Sequence, residues 1–265
     1  MPVTVYDHPL SPYGQKVKIA LAEKGVEFTA RMPEAIGSGH SDGEFAQASP
    51  RGEVPALIGE DGTRVFDSSV IIEYIEDNWP EPALLPAAPA ERARVRMLED
   101  VMDTHFEAIT WGLSELQNFG RGEPAQAKEM SARGDQQIHQ WYDWLNTQLG
   151  DAHWFNGPQF GWGDLCVVPF INGAAGFGAT PDGSLGDWLA RANERPSVAD
   201  CVQAAAAVAL DSSAVSLDAV RKAMDQGLFK REYRDHRLEW MIKTGGLDIV
   251  ANGIEKSNIR FIEPF

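Results

Sequence analysis

The strongest constraint on the fold is a change of pattern across a proline-rich stretch, EPALLPAAPA at residues 81–90. Before it, short apolar runs alternate with helical spacing, and after it the spacing is helical with no convincing strand. Its three prolines remove backbone donors and disrupt helix geometry, so we predict a linker here. We therefore expect a mixed part at 1–80, an all-helical part at 91–210 and a helical extension at 211–265.

The first part predicts the order strand, helix, strand, loop, hairpin, helix. Apolar residues 3–6 are typical of a strand, and helical spacing follows over 12–24 until Gly25. A second strand is predicted at 26–30, and Asp61-Gly62 between two apolar runs is typical of a hairpin turn. This order predicts a small mixed sheet with helices packed against it.

Charge and cysteine content narrow the range of partners. The chain has 39 acidic and 23 basic residues and a net charge of −16, which disfavours nucleic acid and an anionic membrane surface. Cys166 and Cys201 lie in apolar helical stretches without ligand-spaced partners, so we expect two buried thiols and no metal. Met1 leads directly into a strand, and no apolar run could span a bilayer. A reducing cytoplasm is the expected location.

The segment YDHPLSPYGQKVKIALAEKG places a hydroxyl where the first helix begins. Ser11 is a good helix cap, and Pro12 suits the first helical position, where a missing N–H costs nothing. The N-terminus of a helix also favours an anion, and a thiolate is one such anion. The residues alone support both interpretations of Ser11, a helix cap and part of an anion site.

Several motifs in register resemble the cytosolic glutathione transferases over about residues 3–205. HPLSPYGQKVKIALAEKG resembles the serine-type active-site segment of the phi and tau classes, and SPRGEVPAL resembles the loop that ends in a cis-proline. FDSSVIIEYIEDNWPEPALLP resembles the segment that binds the γ-glutamyl end of glutathione. FGWGDLCVVPF and LGDWLARANERPSV resemble the capping motif and the last common helices of the second domain. The resemblance implies an α/β thioredoxin-like domain followed by an all-α domain.

By this resemblance, Ser11 is the catalytic hydroxyl that donates to the glutathione thiolate. A hydrogen bond to a charged group contributes roughly 1.5–3 kcal/mol, and a helix N-terminus about 0.3–1 kcal/mol. At about 1.36 kcal/mol per unit, the thiol pKa should fall by roughly one to three units. Tyr6 and Tyr13 are the rival hydroxyls, since other classes use a tyrosine, and Tyr13 is also expected in the pocket wall.

The resemblance also implies contacts along the glutathione backbone. Val54, before a cis Pro55, should pair its backbone with the cysteinyl unit as an added strand does. Asp67 and Ser68 should cap a helix and also bind the ammonium and carboxylate of the γ-glutamyl group.

The glycyl end is less well matched to the family pattern. His40 is expected to contact the glycyl carboxylate, as in phi-type relatives. The position before Val54 also belongs to the expected glutathione site; it is often Lys or Gln in the family, but here it is Glu53. The capping position of the second domain, often Ser or Thr, is Gly161.

A pocket for the second substrate is expected between the two parts, on the first helix of the second. An aromatic or methionine stripe at helical spacing is more often part of a buried core than of a pocket. The tail after 210 could act as a lid or as an extra packed helix. The pocket residues predicted from this stripe are Met102, His105, Phe106, Ile109 and Trp111.

These observations predict a serine-type glutathione transferase that uses glutathione as co-substrate against a hydrophobic electrophile. The family resemblance implies a homodimer. Alternatives are a glutathione-dependent β-aryl ether cleavage, as in bacterial relatives acting on lignin-derived aromatics, a glutathione peroxidase, and a non-catalytic binding protein. Glu53 favours the non-catalytic alternative, whereas Ser11, the Val54-Pro55 pair and the Asp67-Ser68 pair favour the enzyme.

Overall fold

A four-stranded mixed sheet forms the first part of the chain, with strand order β2-β1-β3-β4. Strand β1 is parallel to β2 and antiparallel to β3, and β3 and β4 form an antiparallel hairpin. The strands are β1 Val3–Tyr6, β2 Phe28–Arg31, β3 Ala56–Ile58 and β4 Arg64–Phe66. The structure, a computed structural model, describes residues 2–34, 43–211 and 215–261.

Three helices accompany this sheet: α1 Pro12–Glu23, α2 Gly43–Ala48 and α3 Ser68–Asn78. Helix α1 ends before Gly25, whose φ of 69° lies in the left-handed region that glycine tolerates best. Helix α2 forms near the end of a stretch that the sequence predicts as loop, since its single short turn carries too little periodicity to detect.

The second part is helical, and its first helix continues into the next through a π-helical turn, Met102–Phe106. Helices α4 and α6 begin with proline, which suits the first helical position. The helices are α4 Pro89–Val101, α5 Glu107–Gln117, α6 Pro124–Leu149, α7 Trp162–Ala175, α8 Gly183–Asn193 and α9 Pro196–Asp211. The expected order of a mixed α/β part followed by a helical part is confirmed.

Helix α7 crosses the core, and its start explains the unusual glycine at position 161. The Asp164 carboxylate accepts hydrogen bonds from the Gly161 N–H at 3.1 Å and from Trp188 Nε1 at 2.8 Å. A side chain at position 161 would collide with the Asn156 amide and the Leu84 carbonyl. Glycine is therefore required here, and Asp164 supplies the cap from within the helix.

Residues 215–261, called the extension below, form a small helical layer with a two-stranded parallel ribbon. Its elements are α10 Val215–Asp225, β5 Arg231–Glu232, α11 Asp235–Thr244, α12 Leu247–Glu255 and β6 Ile259–Arg260. The sequence predicts no strand here, because two-residue strands are too short to show alternation.

Trp240 docks the extension onto the helical part. Its ring fills a notch at Gly112, where any side chain would overlap the indole, and it lies beside Gly134. Next to it, the Arg237 guanidinium donates to both Glu107 carboxylate oxygens, at 2.6 and 3.0 Å. The extension is therefore packed on the body. Among the described residues, no helix has the length and apolarity needed to cross a membrane.

Candidate functional site

The register of the sheet brings three predicted site segments to one edge. Tyr6, the last residue of β1, pairs with Ala56, the first residue of β3. Ala56 in turn pairs with Phe66, the last residue of β4. The segment after β1, the segment before β3 and the segment after β4 therefore all leave the sheet at the same edge.

The segment after β1 is held against the start of α1. The Asp7 carboxylate pairs with Lys18 at 2.5 Å, and the Gln15 side chain donates to the Pro9 carbonyl at 2.7 Å. Gly14 packs so closely on Asp7 that a Cβ atom would overlap its carboxylate. Burial raises the pKa of Asp7 and Lys18 opposes this shift. These contacts with α1 fix the loop that carries the Ser11 hydroxyl.

Ser11 is the residue that caps α1, with φ −79° and ψ 114°. Its Oγ accepts a hydrogen bond from the Gly14 N–H at 3.2 Å. A hydroxyl has two acceptor lone pairs and one donor proton, so capping leaves the proton available to a ligand. The side chain is half-buried, and the two sequence interpretations of Ser11, cap and anion donor, are compatible.

Both rival tyrosine hydroxyls are hydrogen-bonded elsewhere. Tyr6 donates to Glu44 Oε2 at 2.9 Å, and Tyr13 donates to the Asp103 carbonyl at 2.6 Å. Burial, together with the nearby Glu107 carboxylate, raises the pKa of Tyr13, so its phenol stays protonated. Of the three candidate hydroxyls, only those of Tyr6 and Tyr13 donate in these two hydrogen bonds. The Ser11 hydroxyl proton is not used in them.

The segment before β3 contains a cis peptide bond between Val54 and Pro55. Buried Ser49 holds this loop, donating to the Glu53 carbonyl at 2.8 Å and accepting from the Glu53 N–H at 3.1 Å. The Val54 backbone is therefore presented from a rigid turn.

The segment after β4 starts α3 with Asp67 as its cap. Asp67 Oδ1 accepts from the Ser69 N–H at 3.1 Å, and its φ of 74° is strained for a residue with a side chain. Its other oxygen lies 3.6 Å from Arg51 Nη1, and Ser68 beside it is buried. Backbone strain of this kind is concentrated at ligand-binding positions.

Behind α1 and α3 lies a buried cluster of Lys16, Ser69, Glu99 and Asp103. Lys16 Nζ is 2.8 Å from Glu99 Oε1 and 2.5 Å from Asp103 Oδ2. The Ser69 hydroxyl donates to Glu99 at 2.6 Å. Burial disfavours the ammonium, but the two carboxylates outweigh burial and raise the pKa of Lys16. Sequence reasoning missed this cluster. Lys16 lies one helical turn before Ala20, which is buried, and a lysine on the apolar face of a helix was a usable signal.

A second group, the edge cluster, joins the sheet edge to the extension and consists of Arg51, Glu53, Glu232, Arg234 and Arg260. Arg234 Nε lies 3.6 Å from Glu53 Oε1 and 3.0 Å from Glu232 Oε1. Arg260 Nη2 lies 2.8 Å from Glu232 Oε2. Burial and the adjacent Glu232 carboxyl raise the pKa of Glu53 to about 8. Glu53 is therefore mostly protonated at neutral pH.

The five residues predicted for the second-substrate pocket do not share one environment. Met102 and Phe106 have no exposed surface, and Ile109 is only 2% exposed, whereas His105 is exposed. Trp111 is covered by the extension, since Tyr233 meets its ring edge-on at 4.7 Å.

A cavity of about 380 Å³ opens between α5, α6 and α11. His105 and Ile109 line it, together with Trp141, His236 and Trp240. His105 stacks on Trp141 with ring centroids 5.9 Å apart. The cavity thus combines three tryptophans with polar side chains, and it contains two of the five predicted residues.

One predicted contact cannot be placed, because His40 lies outside the described residues. Within residues 2–34, 43–211 and 215–261, no group of three or more metal-ligating side chains is arranged to hold a metal ion. Cys166 and Cys201 are buried free thiols, as expected from their apolar surroundings.

Comparison with known proteins adds independent information. The family described as "Glutathione S-transferase, N-terminal domain" matches residues 10–78, which include Ser11, the Val54-Pro55 turn and the start of α3. The maleylacetoacetate isomerase of Pseudomonas aeruginosa is 30% identical over 193 residues, covering 67% of this chain and 84% of that protein.

Solved structures match at the level of the whole fold. A glutathione S-transferase from Rhodospirillum rubrum F11 superimposes with a TM-score of 0.66 at 28% identity, covering 75% of this chain and 91% of its own. Rice GST1 in complex with glutathione gives a TM-score of 0.64 at 26% identity, covering 80% and 98%. The likeness therefore extends through both the sheet and the helical part.

Proposed function

Because the chain belongs to the cytosolic glutathione S-transferase family, we propose that it binds glutathione at the sheet edge and stabilises the glutathione thiolate with the Ser11 hydroxyl. The thiolate would then attack a hydrophobic electrophile. The observation that carries this proposal is the sheet register, which brings Ser11, the Val54-Pro55 turn and the start of α3 to the same edge.

Glutathione fits this edge as an extended peptide. The Val54 backbone would pair with the cysteinyl unit, as in other peptide complexes that add a strand to an edge. Asp67 and Ser68 would receive the γ-glutamyl ammonium and carboxylate, and Tyr13 would form part of the wall beside the sulfur. His40 is retained as a proposed contact of the glycyl end.

The thiolate needs no neighbouring base. A free thiol has a pKa near 8.5, and a donated hydrogen bond of roughly 1.5–3 kcal/mol plus about 0.3–1 kcal/mol from the α1 N-terminus would lower it to about 5.5–7. Ser11 acts as a donor in this account, because its Oγ already accepts from Gly14 and retains its proton. It does not form a covalent bond with the substrate.

The second substrate is proposed to lie along the first helices of the helical part, near His105 and Ile109, which line the cavity between α5, α6 and α11. The tryptophans in its lining favour an electrophile with a hydrophobic, flat portion. β-Aryl ether cleavage and peroxide reduction would start from the same thiolate and belong to the substrates to be screened.

A second candidate is a glutathione-dependent isomerisation, favoured by the relative named maleylacetoacetate isomerase. In such a reaction the thiolate adds to a conjugated cis double bond, the resulting single bond rotates, and loss of the thiolate restores a trans double bond. Glutathione is regenerated, so the concentration of free thiol stays constant during isomerisation, whereas it falls during transfer.

We propose a homodimer, as the family resemblance implies. Val70 on α3 and Met97 on α4 are 54% and 58% exposed, and the Glu73–Arg96 ion pair joins these two helices. Exposed apolar side chains on two helices joined by an ion pair suit association of two copies. Two free buried thiols are consistent with a reducing cytoplasm, which we also propose.

The direct test is the ultraviolet absorbance of bound glutathione thiolate, titrated with pH in the wild type and in Ser11→Ala. The wild type should ionise the bound thiol one or more pKa units below free glutathione, and Ser11→Ala should lose most of this shift. Ser184→Ala, at an exposed serine in the first turn of α8, is the matched control. Tyr13→Phe tests the rival hydroxyl.

Loss of the shift in Tyr13→Phe but not in Ser11→Ala would assign the role to the tyrosine. Glutathione binding without any thiol ionisation, and without turnover of aryl halides, aryl ethers, peroxides or cis-enones, would identify a non-catalytic binding protein. Thiol consumption separates transfer from isomerisation.

A further inference from the structure

We propose that Arg234 of the extension binds the glycyl carboxylate of glutathione, so that the extension forms one wall of the glutathione site. This inference rests on the proposed function. It supplies a cation beside the Val54 turn in a chain that has Glu53 before Val54, where the family often has Lys or Gln.

Arg234 lies beside the Val54 turn. Its Nε is 3.6 Å from Glu53 Oε1, and Glu53 directly precedes Val54. Its charge also favours the ionised form of Tyr13, two residues beyond Ser11, and so partly offsets the rise in the pKa of Tyr13. The guanidinium is therefore next to the Val54 turn and within electrostatic range of the start of α1.

Arg234 is also loosely held compared with its neighbours. Its carboxylate contacts, Glu232, Glu53 and Asp235, are at 3.0, 3.6 and 3.7 Å from the guanidinium. Arg237, one turn along, is instead bound by Glu107 through two hydrogen bonds. The Arg234 side chain is 33% exposed, and a guanidinium has five N–H donors, so it can turn a pair of donors towards a ligand.

The edge cluster concentrates arginines beside the Val54 turn. Arg51, Arg234 and Arg260 contribute three positive charges, which are opposed by Glu232 and by Asp67 and Asp235, 3.6 and 3.7 Å from Arg51 and Arg234. Glu53, buried against Glu232, contributes little negative charge while it remains protonated. This concentration of arginines is notable in a chain with a net charge of −16. A carboxylate is the small anion that a planar guanidinium fork binds best.

The test uses three ligands that differ only at the glycyl end: glutathione, its glycyl ethyl ester and γ-glutamylcysteine. Calorimetric affinities are measured for the wild type, Arg234→Gln and Arg234→Lys in the full chain. Arg221→Gln is the matched control, since Arg221 belongs to the same extension but pairs with Asp218 and the Asn118 carbonyl.

The wild type and Arg221→Gln should bind glutathione roughly 10- to 100-fold more tightly than the ester or the dipeptide, as expected for hydrogen bonds to a charged group. Arg234→Gln should lose this preference while its affinity for the ester is unchanged, which also shows that the site is folded. Arg234→Lys should fall between the two, because it keeps the charge and loses the fork.

Two results would overturn the inference alone: a wild type that binds all three ligands equally, or an Arg234→Gln variant that keeps the wild-type preference for glutathione. Equal weakening of all three ligands in Arg234→Gln would also overturn it, since the residue would then support the fold and not the glycyl end. A wild type that binds none of the three would overturn the proposed function and this inference with it.

Discussion

The chain contains two clusters of charge that connect the sheet part to the helices, and they are built in opposite ways. In the buried cluster, Lys16 has no exposed surface and lies within 2.8 Å of both Glu99 and Asp103. In the edge cluster, Arg234 is 33% exposed, and its Nε is 3.6 Å from Glu53. Each cluster crosses between parts of the chain that are distant in sequence.

The difference indicates different roles. The charged groups of the buried cluster are closely paired inside the protein, so the cluster fixes α1 against α4 and is costly to break on one side. In the edge cluster the contacts of Glu53 with Arg234 and Arg51 are 3.6 and 3.9 Å long and Arg234 is partly exposed, so this cluster can rearrange around a ligand. One cluster holds the two parts together, and the other lies where we propose that glutathione ends.

The largest expected effect comes from removing the cation of the buried cluster. Lys16→Met leaves Glu99 and Asp103 buried without their counter-charge, and should lower the free energy of unfolding by about 3–5 kcal/mol. Urea unfolding followed by circular dichroism measures this. Lys128→Met, at an exposed lysine of α6, should change stability by no more than about 0.5 kcal/mol. A small effect of Lys16→Met would show that the buried cluster is not a structural connection.

A smaller effect is expected from displacing the extension. Gly112→Ala forces a methyl group against the Trp240 ring, which should cost about 1–3 kcal/mol of unfolding free energy and weaken glutathione binding, because Arg234 moves with α11. The matched control is Gly173→Ala on the exposed face of α7, where a methyl group meets nothing within 4 Å. That variant should be more stable by about 1 kcal/mol.

If Gly112→Ala loses stability as expected but keeps the wild-type affinity for glutathione, then the glutathione site does not depend on the docking of the extension.

The smallest effect concerns the protonation of Glu53. As the pH rises through about 8, Glu53 loses its proton and becomes a carboxylate that repels the glycyl carboxylate. Affinity for S-methylglutathione, which has no titrating thiol, should therefore fall by about tenfold between about pH 7 and about pH 9. Part of this fall comes from titration of the ligand's own amino group. Glu53→Gln should remove the remaining part. Identical pH profiles for the two proteins would contradict the assignment.

Local pattern was sufficient for the two parts of the fold. Alternating apolar runs, the proline-rich stretch and helical spacing predict the mixed part and the helical part, because each signal acts over a few residues. Ser11 was identifiable as a helix cap because a serine followed by proline marks a helix start. The expected roles of Ser11 and of the loop that ends in Pro55 came instead from the family resemblance.

The remaining features depend on contacts between distant residues or on small irregularities. Nothing in the sequence near Glu53 predicts that Glu232 and Arg234 lie against it. The π-helical turn Met102–Phe106 adds a residue to one turn of the helix and rotates the faces after it. Helical spacing alone therefore could not tell that Met102 lies in the core while His105 faces a cavity.

The most direct test of the account is a crystal structure of the protein with glutathione bound. We predict that the sulfur lies within hydrogen-bonding distance of Ser11 Oγ and that the Val54 backbone pairs with the cysteinyl unit. The glycyl carboxylate should lie against the Arg234 guanidinium, which moves away from Glu232. A glutathione whose sulfur is remote from Ser11 would contradict the proposed mechanism, and one whose glycyl carboxylate points to solvent would contradict the role of the extension.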